Sequence, residues 1–281
     1  MAPAPDTVAA ALRLDGLDPV DCRILLQHVL GASHAQLIAH PERALDPAER
    51  SRFVALAARR RAGEPIAYII GRREFYGRTF EVDRSVLIPR PETELLIELA
   101  LARVPDEDGR ILDLGTGSGC IAITLALERP RSTVYAVDAS AAALQVARAN
   151  VQRLGAANVH LLEGSWYAPV SGSTFDVIVS NPPYVAADDP HLGQGDVRAE
   201  PRAALAAGAR GLDAIRSIVT GAGAHLRPGG WLLLEHGYDQ AEAVAELLNQ
   251  AGFEDCFGAR DLAQLPRASG GRKSIRAPSV A

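Results

Sequence analysis

Four consecutive residues, Asn181-Pro182-Pro183-Tyr184, follow an apolar, β-rich run from Phe175 to Ser180. A strand that ends this way presents an amide side chain, a proline carbonyl and an aromatic ring together at its carboxyl end. The two prolines contribute no N–H, so the backbone there offers only acceptors. Acceptors beside a flat ring suit a planar –NH2 group, either an amide or the exocyclic amine of a base. Alone, a Pro-Pro dipeptide is a rigid turn, and its surroundings have to argue for more.

A second group supplies that argument. Asp113-Leu114-Gly115-Thr116-Gly117-Ser118-Gly119-Cys120 follows the strand candidate Ile111–Leu114 and opens a helix. Its glycines permit a tight turn and let a ligand approach the backbone at a helix N-terminus. Asp138 closes the next strand, where a carboxylate can take both hydroxyls of a ribose. A dinucleotide fingerprint would place its third glycine one position later, where this chain has Cys120. The spacing found here, with Asp113 two residues ahead of Gly115, resembles the S-adenosylmethionine loop of Rossmann-like methyltransferases.

These residues require a sheet to hold them. From Arg110 onward, strand candidates at Ile111–Leu114, Thr133–Val137, Val159–Leu162, Phe175–Ser180 and Trp231–Glu235 alternate with helix candidates. The helices are expected at Cys120–Glu128, Ala141–Leu154, Leu212–His225 and Gln240–Ala251. Such alternation implies an α/β fold, a parallel sheet covered on both faces. Ligands meet such sheets at strand ends near the topological switch point. Before this region lies a helical stretch: Ile24, Leu25, His28 and Val29 share one face, and Asp46-Pro47 opens a run ending in Arg59-Arg60-Arg61. That arginine run reads as a solvated helix end complementing the dipole, rather than as a nucleic-acid patch. Phe75, Tyr76, Phe80 and Val82, punctuated by Gly77 and Asp83, read as a hairpin-like connector. The expected organisation is a small all-α N-terminal domain over residues 1–72, a β-hairpin connector over 73–90 and a methyltransferase domain over 91–281.

Composition narrows the class. The chain has 281 residues, 48% of them hydrophobic, and a formal net charge of −5, which weighs against holding nucleic acid mainly through phosphates. No stretch approaches the ~18 uninterrupted apolar residues of a membrane span. Cys22, Cys120 and Cys256 are scattered without metal-ligand spacing, so no metal site is expected and a reduced, cytoplasmic setting is. The chain is expected to be a monomer.

The chain resembles the peptide-chain release factor glutamine methyltransferases (the PrmC/HemK family). The resemblance is carried by Arg60–Tyr68, Gly71–Tyr76, Leu87-Ile-Pro-Arg-Pro-Glu-Thr-Glu94, the glycine loop, Val179–Tyr184, Glu200–Leu205 and Leu232–Gly237. It implies S-adenosylmethionine as cofactor and, as partner and substrate, the glutamine side chain of the Gly-Gly-Gln motif in class 1 release factors. By the same resemblance Gly115, Thr116, Gly117, Ser118, Gly119, Asp138 and Trp166 bind cofactor, Phe75 and Pro89-Arg90 roof it, and the N-terminal domain helps to hold the release factor. Asn181, Pro182, Pro183 and Tyr184 would form the glutamine pocket, with Asn181 also near the cofactor. In that pocket the Asn181 oxygen and the Pro182 carbonyl would accept the two amide N–H groups while Tyr184 stacks on the amide. An amine methyltransferase acting on adenine or guanine in nucleic acid is the alternative, since it shares Asn-Pro-Pro-Tyr. Two departures stand out. Ser165 replaces the family's aspartate, and Arg267-Ala-Ser-Gly-Gly-Arg-Lys273 offers no β-branched run, which argues against a final antiparallel strand.

Overall fold

A computed structural model describes residues 4–275 as two compact units. One runs to Arg72 and includes Gly193–Ala199; the other runs from Arg73 to Leu192 and resumes at Glu200.

The first unit is helical: α1 (Val8–Leu12), α2 (Pro19–Leu30), α3 (His34–Ala39), α4 (Pro47–Arg61) and α5 (Ile66–Ile70). Local chemistry sets the boundaries. Asp18 caps α2 with Pro19 in its first turn, and Gly31 ends it in the left-handed conformation at φ 61°. Capping boxes open α3 (Ser33 with Gln36) and α4 (Asp46 with Glu49). Leu25, Leu26, Leu37, Phe53 and Ala57 form the core between them. The arginine run at the end of α4 is not simply solvated. Arg59 pairs with Glu64, and the Arg60 guanidinium donates to Asp21 and to Asp196, each at 2.6 Å. The second contact explains why Gly193–Ala199, expected within 91–281, clusters with the helices.

The second unit opens with a two-stranded hairpin, β1 (Arg72–Phe75) and β2 (Arg78–Glu81), then a 3-10 turn at Pro91–Thr93 leading into α6 (Glu94–Leu101). After it come β3 (Arg110–Leu114), α7 (Cys120–Glu128), β4 (Thr133–Asp138), α8 (Ala141–Leu154), β5 (Val159–Glu163) and β6 (Phe175–Ser180). The chain continues through α9 (Asp213–His225), β7 (Leu226–Glu235), α10 (Ala241–Gln250), β8 (Glu254–Arg260) and β9 (Pro266–Arg272). The seven strands lie in the order β5-β4-β3-β6-β7-β9-β8, with the first five parallel.

Side chains along each strand alternate between two cores. Ile111, Val177, Val179 and Leu233 pack with α6 and α7 on one face. Leu112, Leu114, Ile178, Leu232 and Leu234 pack with α9 and α10 on the other. Burial on both faces is why these strands read as continuous apolar runs.

The chain departs from β3 to one side through β4 and β5, then returns beyond β3 to β6, so the switch point lies between β3 and β6. Leu114 stands opposite Ser180, and the Ser180 hydroxyl donates to the Leu114 carbonyl at 2.6 Å. The glycine loop and Asn181 therefore leave the sheet side by side.

The last strand corrects a sequence expectation. β9 forms despite lacking β-branched residues and pairs antiparallel with β7 on one side and β8 on the other. Space explains the composition. A Cβ on Gly270 would lie 2.7 Å from Leu233 Cδ2 and from Phe257 Cε1, and one on Gly271 would lie 2.7 Å from Phe253 Cβ. Only a bare backbone fits there, and ladders on both edges compensate for the missing side chains.

Candidate active site

At the switch point is a cavity of about 420 Å³, within the range of small-molecule sites. The glycine loop forms its floor. Gly115 and Thr116 donate their backbone N–H groups to the Val137 carbonyl at 2.8 and 3.0 Å, folding the loop over the end of β4. Gly115, Gly117 and Gly119 all take positive φ (75°, 55° and 80°), which requires glycine. They do different work. A Cβ on Gly117 would meet nothing, whereas one on Gly119 would strike Ile123 Cδ1 at 2.9 Å. Gly119 thus lets α7 pack closely and does not line the cavity, unlike Gly115, Thr116, Gly117 and Ser118.

Asp138 accepts from the Gly117 N–H (2.8 Å) through one oxygen and from Ser140 N–H (2.9 Å) through the other. Each oxygen keeps a further lone pair, and the residue lines the cavity. Trp166 lies across Gly115 (a Cβ there would sit 3.8 Å from the indole) and is held at φ 46°. Backbone strain of this kind collects at ligand sites. Beneath the loop, Asp113 is fully buried. One carboxylate oxygen accepts from the Thr116 hydroxyl at 2.6 Å and the other has no partner. Burial pushes its pKa up to about 7.

Asn181 forms the opposite wall. Its Nδ2 donates to Thr93 Oγ1 at 3.1 Å, while its Oδ1 is buried and has no hydrogen-bond partner. Pro183 lines the cavity beside it. Above are Pro89, Arg90, Pro201 and Ala203. This roof is clamped by Glu200, which accepts from the Ile88 backbone N–H at 3.0 Å and from the Arg90 guanidinium.

The chain's relatives agree with this geometry. Residues 91–196 match the methyltransferase small domain, and residues 7–71 match the PrmC N-terminal domain. The chain is 53% identical to a release factor glutamine methyltransferase of Burkholderia pseudomallei, over 96% of this chain and 97% of that one. It is 48% identical to another of Neisseria gonorrhoeae, over 93% and 96%. The chain belongs to the release factor glutamine methyltransferase family. At the level of fold, a methyltransferase structure from Pyrococcus furiosus superposes with a TM-score of 0.53 at 20% identity, covering 78% of this chain and 98% of that one. Members of the family use S-adenosylmethionine. The residues present fit that cofactor: a glycine turn left open at Gly117, a carboxylate with free lone pairs at Asp138 and a flat indole at Trp166.

Several residues sit elsewhere than expected. Phe75 does not roof the cavity; it is 1% exposed and packs edge-on against Phe80 in the core. Pro182 is buried and Tyr184 lies outside the cavity wall. The Tyr184 ring packs on the core shared with α9 and α10, and its hydroxyl donates to Glu235 Oε1 at 3.3 Å. A buried phenol needs such an acceptor, and this one ties the Tyr184 hydroxyl to the end of β7. His236 is fully buried between Ser269 Oγ and the Gly237 carbonyl, each at 2.8 Å, a packing role. His191 is exposed and pairs with Asp189. Burial pushes the Cys120 thiol up to about 12, so it is a small neutral residue of the wall. Ser165 also lines the cavity, in place of the family's aspartate. Sequence reasoning passed over Thr93, Glu200 and Glu235 as site residues. Their only signal was membership of the segments that carry the family resemblance.

Proposed function

We propose that this chain transfers the methyl group of S-adenosylmethionine to the side-chain amide nitrogen of the glutamine in the Gly-Gly-Gln motif of class 1 release factors. The observation that carries this reading is the unpartnered Asn181 Oδ1 in the cavity wall. A buried acceptor without a donor costs about 1–3 kcal/mol, a cost that an arriving N–H removes.

An amide nitrogen is a poor nucleophile because its lone pair is delocalised into the carbonyl. Asn181 Oδ1 takes one of its two N–H bonds, and the proline pair, with no N–H of its own, leaves only carbonyl acceptors for the other. Held by two acceptors, the amide is turned so that its nitrogen lone pair faces the glycine loop. Bound S-adenosylmethionine supplies an electrophilic methyl on a sulfonium. The acceptors that orient the amide also stabilise positive charge developing on its nitrogen. The alkylated amide is strongly acidic, so its proton leaves without a dedicated base.

In this reading Gly115, Thr116, Gly117, Ser118, Asp138 and Trp166 hold the cofactor, and the helical unit holds the release factor. The protein works as a monomer in the cytoplasm with no stable nucleic-acid partner, in keeping with its net charge of −5. The test is incubation with methyl-labelled S-adenosylmethionine and either purified release factor or RNA, followed by peptide mapping. Label on the glutamine of the Gly-Gly-Gln peptide is expected. Label in RNA and none in protein would overturn the assignment.

A further inference from the structure

The roof of the cavity is built from two stretches that regular secondary structure does not hold. Residues 87–90 lie in no helix or strand, and Pro89 and Pro91 contribute no backbone N–H, which leaves Ile88 and Arg90 to donate. The facing stretch starts at Pro201 and continues as a single 3-10 turn over Arg202–Ala204. Both are rooted beside the Asn-Pro-Pro-Tyr run. Thr93, just beyond the first stretch, accepts from Asn181. Val185 donates to the Leu205 carbonyl at 2.8 Å, and its own carbonyl accepts from Ala207 at 3.0 Å. Away from these roots the Glu200 side chain joins the two. It is fully shielded from solvent, where a charge is tolerated only when paired and hydrogen-bonded. Its Oε2 accepts the Ile88 N–H at 3.0 Å, and its Oε1 accepts from the Arg90 guanidinium.

We propose that Glu200 is a positioning residue that latches the two halves of the roof together and so governs how long S-adenosylmethionine stays in the cavity. Glu200 is not among the residues that line the cavity. Pro89 and Arg90 line it from one stretch, and Pro201, Ala203 and Ala204 from the other. The carboxylate thus touches the roof and leaves the ligand to the residues it fixes. The inference rests on the cavity as the cofactor site and is independent of which amide is methylated.

One carboxylate serves both halves because its two oxygens do different work. The first fixes backbone next to Pro89, and the second fixes the side chain of Arg90. Bonds to a charged acceptor are the strong ones, so the two stretches move as one body while the latch is intact. With the latch cut, each is held only at its root. A bound ligand has to displace the roof to leave, so the effect falls mainly on departure.

The test loads the full chain with labelled S-adenosylmethionine and chases it with an unlabelled excess, with no release factor present. Glu200→Ala and Arg90→Met are each expected to speed dissociation by about 10–100-fold, the scale of a lost hydrogen bond to a charged group. Association should change by less than about threefold. Glu200→Gln keeps an acceptor for the Ile88 N–H and should fall between the native protein and Glu200→Ala. Adding Arg90→Met to Glu200→Ala should change dissociation by less than about twofold further, because both cut one link. If Arg90 instead gripped the cofactor by itself, the two losses would multiply, and that result would overturn the proposal. Native dissociation rates in both Arg90→Met and Glu200→Gln would overturn it too. A merely structural Glu200 would lower the urea midpoint and leave dissociation unchanged, which also refutes the latch. Arg90 is 31% exposed, so Arg90→Met decides the matter even if Glu200→Ala does not fold. A native chain that fails to bind S-adenosylmethionine would instead defeat the assignment of the cavity.

Discussion

Asn181→Ala separates a catalytic acceptor from a structural amide. The substitution removes an unpartnered amide oxygen from the cavity wall and leaves the glycine loop, Asp138 and Trp166 untouched. Loss of a preorganised polar contact to the transition state costs ~10²–10³ in kcat, or about 2.7–4 kcal/mol. The loss should fall on kcat, with cofactor affinity changed by less than about threefold, because the acceptor acts on charge that develops only during transfer. Stability should move differently. The variant loses the 3.1 Å bond to Thr93, worth about 0.5–1.5 kcal/mol. It also sheds an unsatisfied buried oxygen that costs about 1–3 kcal/mol. The unliganded variant should therefore unfold at a urea midpoint equal to or above that of the native protein while turning over at least a hundred times more slowly. Single-turnover methylation of release factor and equilibrium unfolding measure the two sides. A rate within tenfold of native, or a loss confined to cofactor KM, would refute the reasoning.

Asp138→Ala removes an acceptor that also holds the Gly117 and Ser140 N–H groups, so titration calorimetry should show S-adenosylmethionine bound at least about tenfold more weakly. Gly270→Val forces side-chain atoms into space where even a Cβ would be 2.7 Å from Leu233 and Phe257, and should cost about 1–3 kcal/mol or more in urea unfolding. Arg60→Met removes the contact to Asp196, so limited proteolysis should cut within Gly193–Ala199 faster than in the native protein. Asp113, whose folded pKa is raised to about 7, binds more protons folded than unfolded between about pH 4 and 7. Its contribution to stability is thus present at acid pH and lost as pH rises through that window. Asp113→Asn should gain in melting temperature over the native protein between pH 5 and pH 8, and a difference independent of pH would contradict the assignment.

The parallel strands and their helices were legible because burial on both faces writes itself as unbroken apolar runs, and glycines mark the one loop a ligand approaches. Asn181 was legible for the same reason, standing directly after such a run. What failed to show depends on partners distant in sequence. Thr93 meets Asn181 across 88 positions and Asp196 meets Arg60 across 136, and no local pattern encodes either pairing. Strand propensity misled at β9, where cross-strand pairing and close packing decide the outcome and β-branched side chains have no room. The aromatic after the proline pair stands in the sequence itself; where its ring lies depends on a hydroxyl bonded to Glu235, 51 positions away.

The lone acceptor at Asn181 also bears on chemical damage to the substrate. Glutamine side chains hydrolyse slowly to glutamate, and the two differ little in size. A glutamate in the same motif would bring a carboxylate, which has no N–H, against the unpartnered Asn181 oxygen. At Asn181, oxygen would face oxygen with no hydrogen between them. The same unmet acceptor that draws in an intact glutamine would therefore disfavour the deamidated one.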